Sequence, residues 1–361
     1  MKIVASMDSF KGSLSSSKAG KAVSEGALLA GESCEVFLLA DGGEGTSEAI
    51  TEGYEAKTLT VSGPLGDQVS ARYFVRDDRA VLDIAECSGL TLVKDKDILN
   101  SSTFGLGELL RAVIGEGARD ITLCLGGSAT SDCGAGILEA LGAVFLDSQG
   151  RRLTGRPSDL LELASCDLTA VREIVDGIAI RALCDVTNPL MGSNGAAFVF
   201  APQKGASSTD IILLEKAAGT FSSIVTPGLD TGVPGFGAAG GLGYCLSAVL
   251  GAPLVPGAPF VIESTGLINR LGPDVDIFIT GEGRADKTST GGKAAYEACR
   301  AARTAGVRHV YVIAGSSDIT AEEFGCDRIL TLPDTEDKME EDVAIRNITA
   351  AAFEIVSSFK G

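Results

Sequence analysis

The sequence predicts an α/β fold: a parallel-sheet domain formed by residues 1–55 and 273–361, interrupted by an inserted second α/β domain of mixed sheet over residues 56–272. Three observations carry this expectation. Short aliphatic runs alternate with helix-period segments at both chain ends, as parallel strands covered on both faces by helices require. Residues 56–86 instead alternate with period two between turn signals, the pattern of an antiparallel meander. At 361 residues the chain also exceeds one ordinary domain of ~100–200 residues.

In order, "KIVAS" (2–6) is a first strand, and Ala19, Ala22, Val23, Ala27 and Ala30 fall on one face of a following helix. "CEVFLLA" (34–40) reads as a second buried strand, then a glycine-acid loop, then a helix from about Thr46. The meander carries turns at Gly63-Pro64, Gly66-Asp67 and Asp77-Asp78. "ITLCL" and "IRALCDV" add strands within the insertion. The alternation resumes with "DIFIT" (276–280), a loop, a helix from Ala294 to Ala305, "HVYVIAG" (309–315) and "RILTL" (328–332). A helix bearing Ala344, Ile345, Ile348, Ala351, Ala352 and Ile355 closes the chain.

Composition excludes several function classes. A formal charge of −18 opposes a nucleic-acid or anionic-membrane surface, while an anionic small substrate is still compatible with local clusters of Lys and Arg. The nine cysteines include no C-x-x-C pair, so neither a disulfide framework nor a zinc cage is indicated. "MKIVASMDSF" lacks the apolar run of a signal peptide, and no apolar stretch reaches the ~18 residues of a membrane span. The expectation is a soluble cytoplasmic protein, a monomer or homodimer.

In open parallel sheets, ligands bind beyond the carboxyl ends of the strands. Three loops meet that rule: Asp8-Ser9-Phe10-Lys11-Gly12-Ser13, Asp41-Gly42-Gly43-Glu44-Gly45, and Gly281-Glu282-Gly283-Arg284-Ala285-Asp286. Glycines let backbone N–H groups approach an anion closely. Acids beside such a cradle repel phosphate unless a divalent cation lies between them, the arrangement phosphoryl transfer uses. A single loop of this kind is commonly ordinary turn chemistry or a helix cap; three on one edge are not so easily dismissed. The insertion adds "LGGSATSDCGAG", with Ser128 after a strand and Asp132 before a helix, and "CDVTNPLMGSNGAAFVFAPQKGA", with Asp185 at a strand end, Asn188-Pro189 in a turn, and Lys204.

Two fingerprints fail. Gly235, Gly237 and Gly240 fit G-x-G-x-x-G, but no strand precedes them, and close packing of a glycine-rich helix explains them better. Lys293 follows Gly292, yet neither the glycine spacing nor the Ser/Thr of a P-loop is present. His309 is the only histidine and leads into a strand, which argues against a triad hydrolase and for a carboxylate or lysine as any general base.

"DSFKGSLSSSKA", "ADGGEGT", "GGSATSDCGAG", "CDVTNPLMGSNGA", "PQKGA", "GFGAAGGLG" and "TGEGRADKTSTGGKA" occur in the order seen in bacterial glycerate kinases, and the chain resembles that family, of the glycerate 2-kinase type, over nearly its whole length. The resemblance implies ATP-dependent phosphorylation of D-glycerate in glyoxylate or glucarate-type catabolism, and a Rossmann-like domain with an inserted α/β domain. Ser131, Cys133 and Thr288 depart from the family's usual Asn, Gly and Gln.

The expected roles follow. Lys11, Arg284 and Lys293 neutralise phosphate charge, with Glu282 beside them in the nucleotide site. Asp41, Glu44 and Asp286 hold Mg²⁺, and Asp185 or Asp8 accepts the proton of the attacking hydroxyl. Ser128 and Lys204 hold the glycerate carboxylate, with Asp132 and Asn188 nearby in the acceptor site. Three alternatives stay open: transfer to the 3-hydroxyl, a non-catalytic sensor of a phosphorylated sugar acid, and, more weakly, a dehydrogenase.

Overall fold

The computed structural model describes residues 1–43, 45–335 and 337–360. The chain divides into two compact units, Met1–Glu52 with Pro256–Gly361, and Gly53–Val255. Strands β1 (Ile3–Met7) and β2 (Cys34–Leu38) begin the terminal unit. The inserted unit supplies β3 (Glu55–Ser62), β4 (Gln68–Arg76), β5 (Arg79–Asp83), β6 (Asp120–Cys124), β7 (Val144–Asp147), β8 (Arg152–Leu153), β9 (Leu163–Asp167), β10 (Ala179–Leu183) and β11 (Leu254–Val255). The chain returns with β12 (Ile277–Ala285), β13 (His309–Ser317) and β14 (Arg328–Thr331). The helices used below are α1 (Ser16–Leu29), α2 (Phe104–Gly115), α3 (Ala135–Ala140), α4 (Ala238–Tyr244), α5 (Ala294–Thr304) and α6 (Glu341–Ser357).

The terminal unit holds a five-stranded parallel sheet in the order β14-β13-β12-β1-β2. Successive residues of β1 point to opposite faces, as a strand dictates. Ile3, Ala5 and Met7 pack with Val23 and Ala27 of α1 and with Ile348 and Ile355 of α6. Val4 packs on the other face with Phe278 and with Ala294, Ala298 and Ala302 of α5. Both faces are thus covered by helices whose apolar stripes the sequence displays. Among the described residues, no helix is long and apolar enough to cross a membrane.

Four details differ from expectation. β2 is an edge strand and residues 34–38 are half-buried or exposed, because only β1 flanks it. The helix from Thr46 lasts a single turn, Thr46–Ala49. Segment 256–272 belongs to the terminal unit, because Ile262, Leu267 and Leu271 bury themselves with Phe278 and α5. The Gly281–Ala285 segment is strand rather than loop: Glu282 pairs with Ala314 and Arg284 with Ser316, since β13 runs on alongside. That extension depends on small residues, as a Cβ added at Gly315 would lie 2.5 Å from Gly283 O.

The inserted unit is a six-stranded mixed sheet ordered β11-β10-β6-β5-β4-β3. β3, β4 and β5 form the antiparallel meander, whereas β5, β6, β10 and β11 run parallel. A small antiparallel sheet, β8-β7-β9, completes the unit. Its core joins Leu82, Leu106, Leu109, Ile121, Ile137 and Phe221. The glycine-rich helix α4 packs backbone to backbone: Gly240 has φ +71°, and an added Cβ would lie 2.1 Å from Thr130 O.

Candidate active site

The terminal unit opens a cavity of about 350 Å³ at the carboxyl edge of its sheet, within the usual range for small-molecule sites. Asp8 follows β1, Asp41 follows β2, and Glu282, Gly283 and Arg284 come from the extended end of β12, all on its wall. Lys11 and Lys293 join them. The topological rule thus brings together six charged side chains that are far apart in sequence.

The acids are held under electrostatic stress. Asp8 is only 7% exposed, and its Oδ1 accepts a hydrogen bond from Ser9 N at 2.7 Å. Burial, then the neighbouring charges of Asp41 and Glu282, push its carboxyl from 3.8 to about 7; the Ser9 N–H and the Lys11 charge oppose the rise without cancelling it. Burial also raises the carboxyl of Glu282, which is 4% exposed. Its Oε2 lies 3.5 Å from Lys293 Nζ, while its Oε1 has no hydrogen-bond partner among the described residues. Asp41 Oδ1 accepts from Gly43 N at 3.0 Å, which shapes the glycine turn.

Asp286 is placed differently from the other acids. It is absent from the cavity wall. Its carboxylate accepts the Thr288 N–H at 2.8 Å and hydroxyl at 2.5 Å and lies 3.5 Å from Arg284 and 3.7 Å from Lys293. The Thr288 hydroxyl chiefly holds its carboxyl below the usual range. Arg284 also donates to Asp318 at 2.6 Å. Asp286 therefore anchors the two cations beside the cavity. Glu44 lies outside the described residues. Among the described residues no three His, Cys, Asp or Glu side chains are grouped closely enough to hold a metal on their own. Magnesium bound through a nucleotide asks for less, commonly one or two carboxylates with phosphates and water.

In the inserted unit, Ser128 and Asp132 lie in the segment between β6 and α3. Asp132 is not available to a substrate. It is fully buried and accepts from Thr103 N and Oγ1, both at 2.7 Å, from Gly134 N at 3.1 Å and from Gly136 N at 3.2 Å. It ties the start of α3 to the start of α2, satisfying helix-end donors that would otherwise be orphaned.

Lys204 is also enclosed, at 3% exposure. Its Nζ donates to Thr130 O at 2.6 Å and to Ser128 Oγ at 3.4 Å. Burial lowers its ammonium from 10.5 to about 7, against the raising influence of Asp132. Ser128 is 5% exposed, and its Oγ accepts from Thr130 N at 3.2 Å. Asp185 and Asn188 follow β10, the parallel neighbour of β6. Asp185 is exposed, whereas Asn188 closes its own loop by donating to Asn194 O at 2.8 Å.

Sequence reasoning missed the rest of the cavity wall: Ser316 from β13, Leu332 and Pro333 after β14, and Lys338, Met339, Ala344 and Asn347 before and around the start of α6. The same strand-end rule points to "LPDTEDKME", but its acids resemble ordinary solvated loop.

The comparisons agree with this arrangement. The glycerate kinase family matches residues 3–360. A protein of Halalkalibacterium halodurans named glycerate kinase is 40% identical over 87% of this chain and 85% of its own length. A protein of Escherichia coli K12 named glycerate 2-kinase is 39% identical over 81% of this chain and 80% of its own. A crystal structure from Salmonella typhimurium LT2 that carries a glycerate kinase 2 designation superimposes with a TM-score of 0.86 at 34% identity, covering 100% of this chain and 98% of that one. The chain belongs to the glycerate kinase family and is a phosphotransferase.

Proposed function

We propose that the chain transfers the γ-phosphoryl group of ATP to the 2-hydroxyl of D-glycerate, giving 2-phosphoglycerate. One observation carries the reading: Lys11, Arg284 and Lys293 share a cavity wall with Asp8, Asp41 and Glu282. A protein that merely senses a phosphorylated acid gains from the cations and is weakened by the acids. A kinase uses both, because phosphoryl transfer depends on positioning and on balancing charge. The likeness to a protein named glycerate 2-kinase supports the 2-hydroxyl as acceptor.

The acid set fits a divalent cation. Three carboxylates repel one another in one cavity, and Glu282 Oε1 lacks a partner among the described residues. We assign Mg²⁺ to Asp41 and Glu282, in place of Asp286, which Thr288 and the two cations already engage. When bound, Mg²⁺ neutralises phosphate charge and screens it from the acids. Lys11, Arg284 and Lys293 supply the remaining positive charge. Asp8 accepts the hydroxyl proton, since its raised affinity suits a general base near neutral pH and it lies on the wall of the cavity, from which Asp185 is absent. Lys204 acts behind the 128–130 segment, shaping it and lending it positive charge, and we assign the glycerate carboxylate to that segment.

The test is incubation with ATP, Mg²⁺ and D-glycerate, following ADP release and resolving the product by phosphorus NMR. Glycerate-dependent ADP release with 2-phosphoglycerate is expected. Appearance of 3-phosphoglycerate would move the acceptor to the other hydroxyl, and no glycerate-dependent release would overturn the kinase reading.

A further inference from the structure

We propose that the cavity contains a nucleobase subsite at its β14–α6 end, in which Leu332, Pro333, Met339 and Ala344 form the apolar walls and the Asn347 carboxamide reads the edge of adenine. This deepens the ATP reading above and rests on it. The acids occupy only part of the cavity: Asp8, Asp41 and Glu282 follow or lie in β1, β2 and β12, and at the other end the charged wall residue Lys338 is paired with Asp334. β14 is the opposite edge strand, three interstrand steps from β1, or about 14 Å. Leu332 and Pro333 leave that strand, and Ala344 and Asn347 belong to the opening turns of α6. A triphosphate held by Lys11, Arg284 and Lys293 does not need the apolar surface of this half.

Two features mark it as a place for a planar heterocycle. Met339 is 53% exposed yet lines the cavity, and a Cβ added at Gly12 would lie 3.3 Å from its Cε, so its thioether reaches back to the loop that carries Lys11. An unbranched, polarisable side chain held at a cavity mouth suits the face of an aromatic ring. Asn347 is half-buried in the wall, and no hydrogen bond among the described residues occupies its carboxamide. An amide offers one acceptor and one donor side by side, which matches N6 and N7 of adenine; guanine presents two acceptors on that edge and leaves the amide oxygen opposed.

Equilibrium titration of the full chain with MgATP, MgGTP and tripolyphosphate tests the assignment. The native chain is expected to bind ATP about ten- to a hundredfold more tightly than GTP, the range one bidentate pair supports. Asn347→Ala should bring ATP and GTP within about threefold of each other, leaving tripolyphosphate binding and the thermal transition unchanged. Met339→Ala should weaken both nucleotides alike and spare tripolyphosphate. Equal binding of all three ligands by the native chain overturns the subsite, and an ATP/GTP ratio unchanged in Asn347→Ala overturns the role of Asn347. Failure of the kinase reading is separable: tight, base-selective ATP binding without glycerate phosphorylation leaves the subsite standing, whereas phosphorylation without base selectivity removes the subsite alone.

Discussion

Replacing Asp8 by Asn should make the protein more stable while it loses activity. The carboxyl sits at about 7 in the fold against 3.8 for an ordinary Asp, chiefly through burial and through the charges of Asp41 and Glu282. Between those values the unfolded chain has released the proton and the fold retains it, so stability falls as pH rises from 3.8 towards 7 and levels off above. At about 1.4 kcal/mol per pH unit, the native side chain carries a penalty of about 4 kcal/mol at pH 8 and about 1.5 kcal/mol at pH 5. Asn keeps an oxygen for the Ser9 N–H and never ionises. Urea unfolding of both proteins without nucleotide or Mg²⁺ should therefore show Asp8→Asn the more stable, by about 2.5 kcal/mol more at pH 8 than at pH 5. Turnover should fall by about a hundredfold or more, as loss of a general base entails. A stability difference independent of pH, or a variant less stable than the native chain at pH 8, would refute the account of the acid cluster.

Other substitutions probe the neighbouring groups. Asp132→Ala strips an acceptor from four buried donors and should destabilise the protein by about 3 kcal/mol or more, measured by denaturant midpoint, as expected for a structural anchor. Lys204 titrates at about 7 in the fold against 10.5, so the KM for glycerate should rise between pH 6.5 and 8.5 as the ammonium is lost, and that rise should flatten in Lys204→Met. Lys11→Ala should raise the KM for ATP about tenfold or more with little change in the thermal transition, because Lys11 is exposed at the cavity wall.

Much of this was legible because strand ends are legible. Asp8, Asp41 and Glu282 each stand just past an aliphatic run, and one topological rule gathers them. Asp286 stands two residues past Arg284, and the sequence does not show that the strand continues through Arg284 to Ala285 and leaves the acid outside the cavity wall. Asp132 and Lys204 carried equally functional-looking motifs, yet both are enclosed, and enclosure depends on contacts with Thr103 and Thr130 that lie 29 and 74 residues away. The domain boundary shifted to Val255 for the same reason: Ile262 and Leu267 show their apolar faces in sequence, but not which core they enter. Asn347 was invisible, since a lone amide on an amphipathic helix has no signature before the neighbouring loops are placed.

The most direct test of the charge-balanced site is the glycerate-dependent turnover of Asp41→Asn, measured at saturating MgATP once circular dichroism and thermal unfolding match the native chain. The account predicts a loss of about a hundredfold or more, because the side chain assigned to the metal keeps its turn geometry but not its charge. Turnover equal to that of the native protein would contradict it.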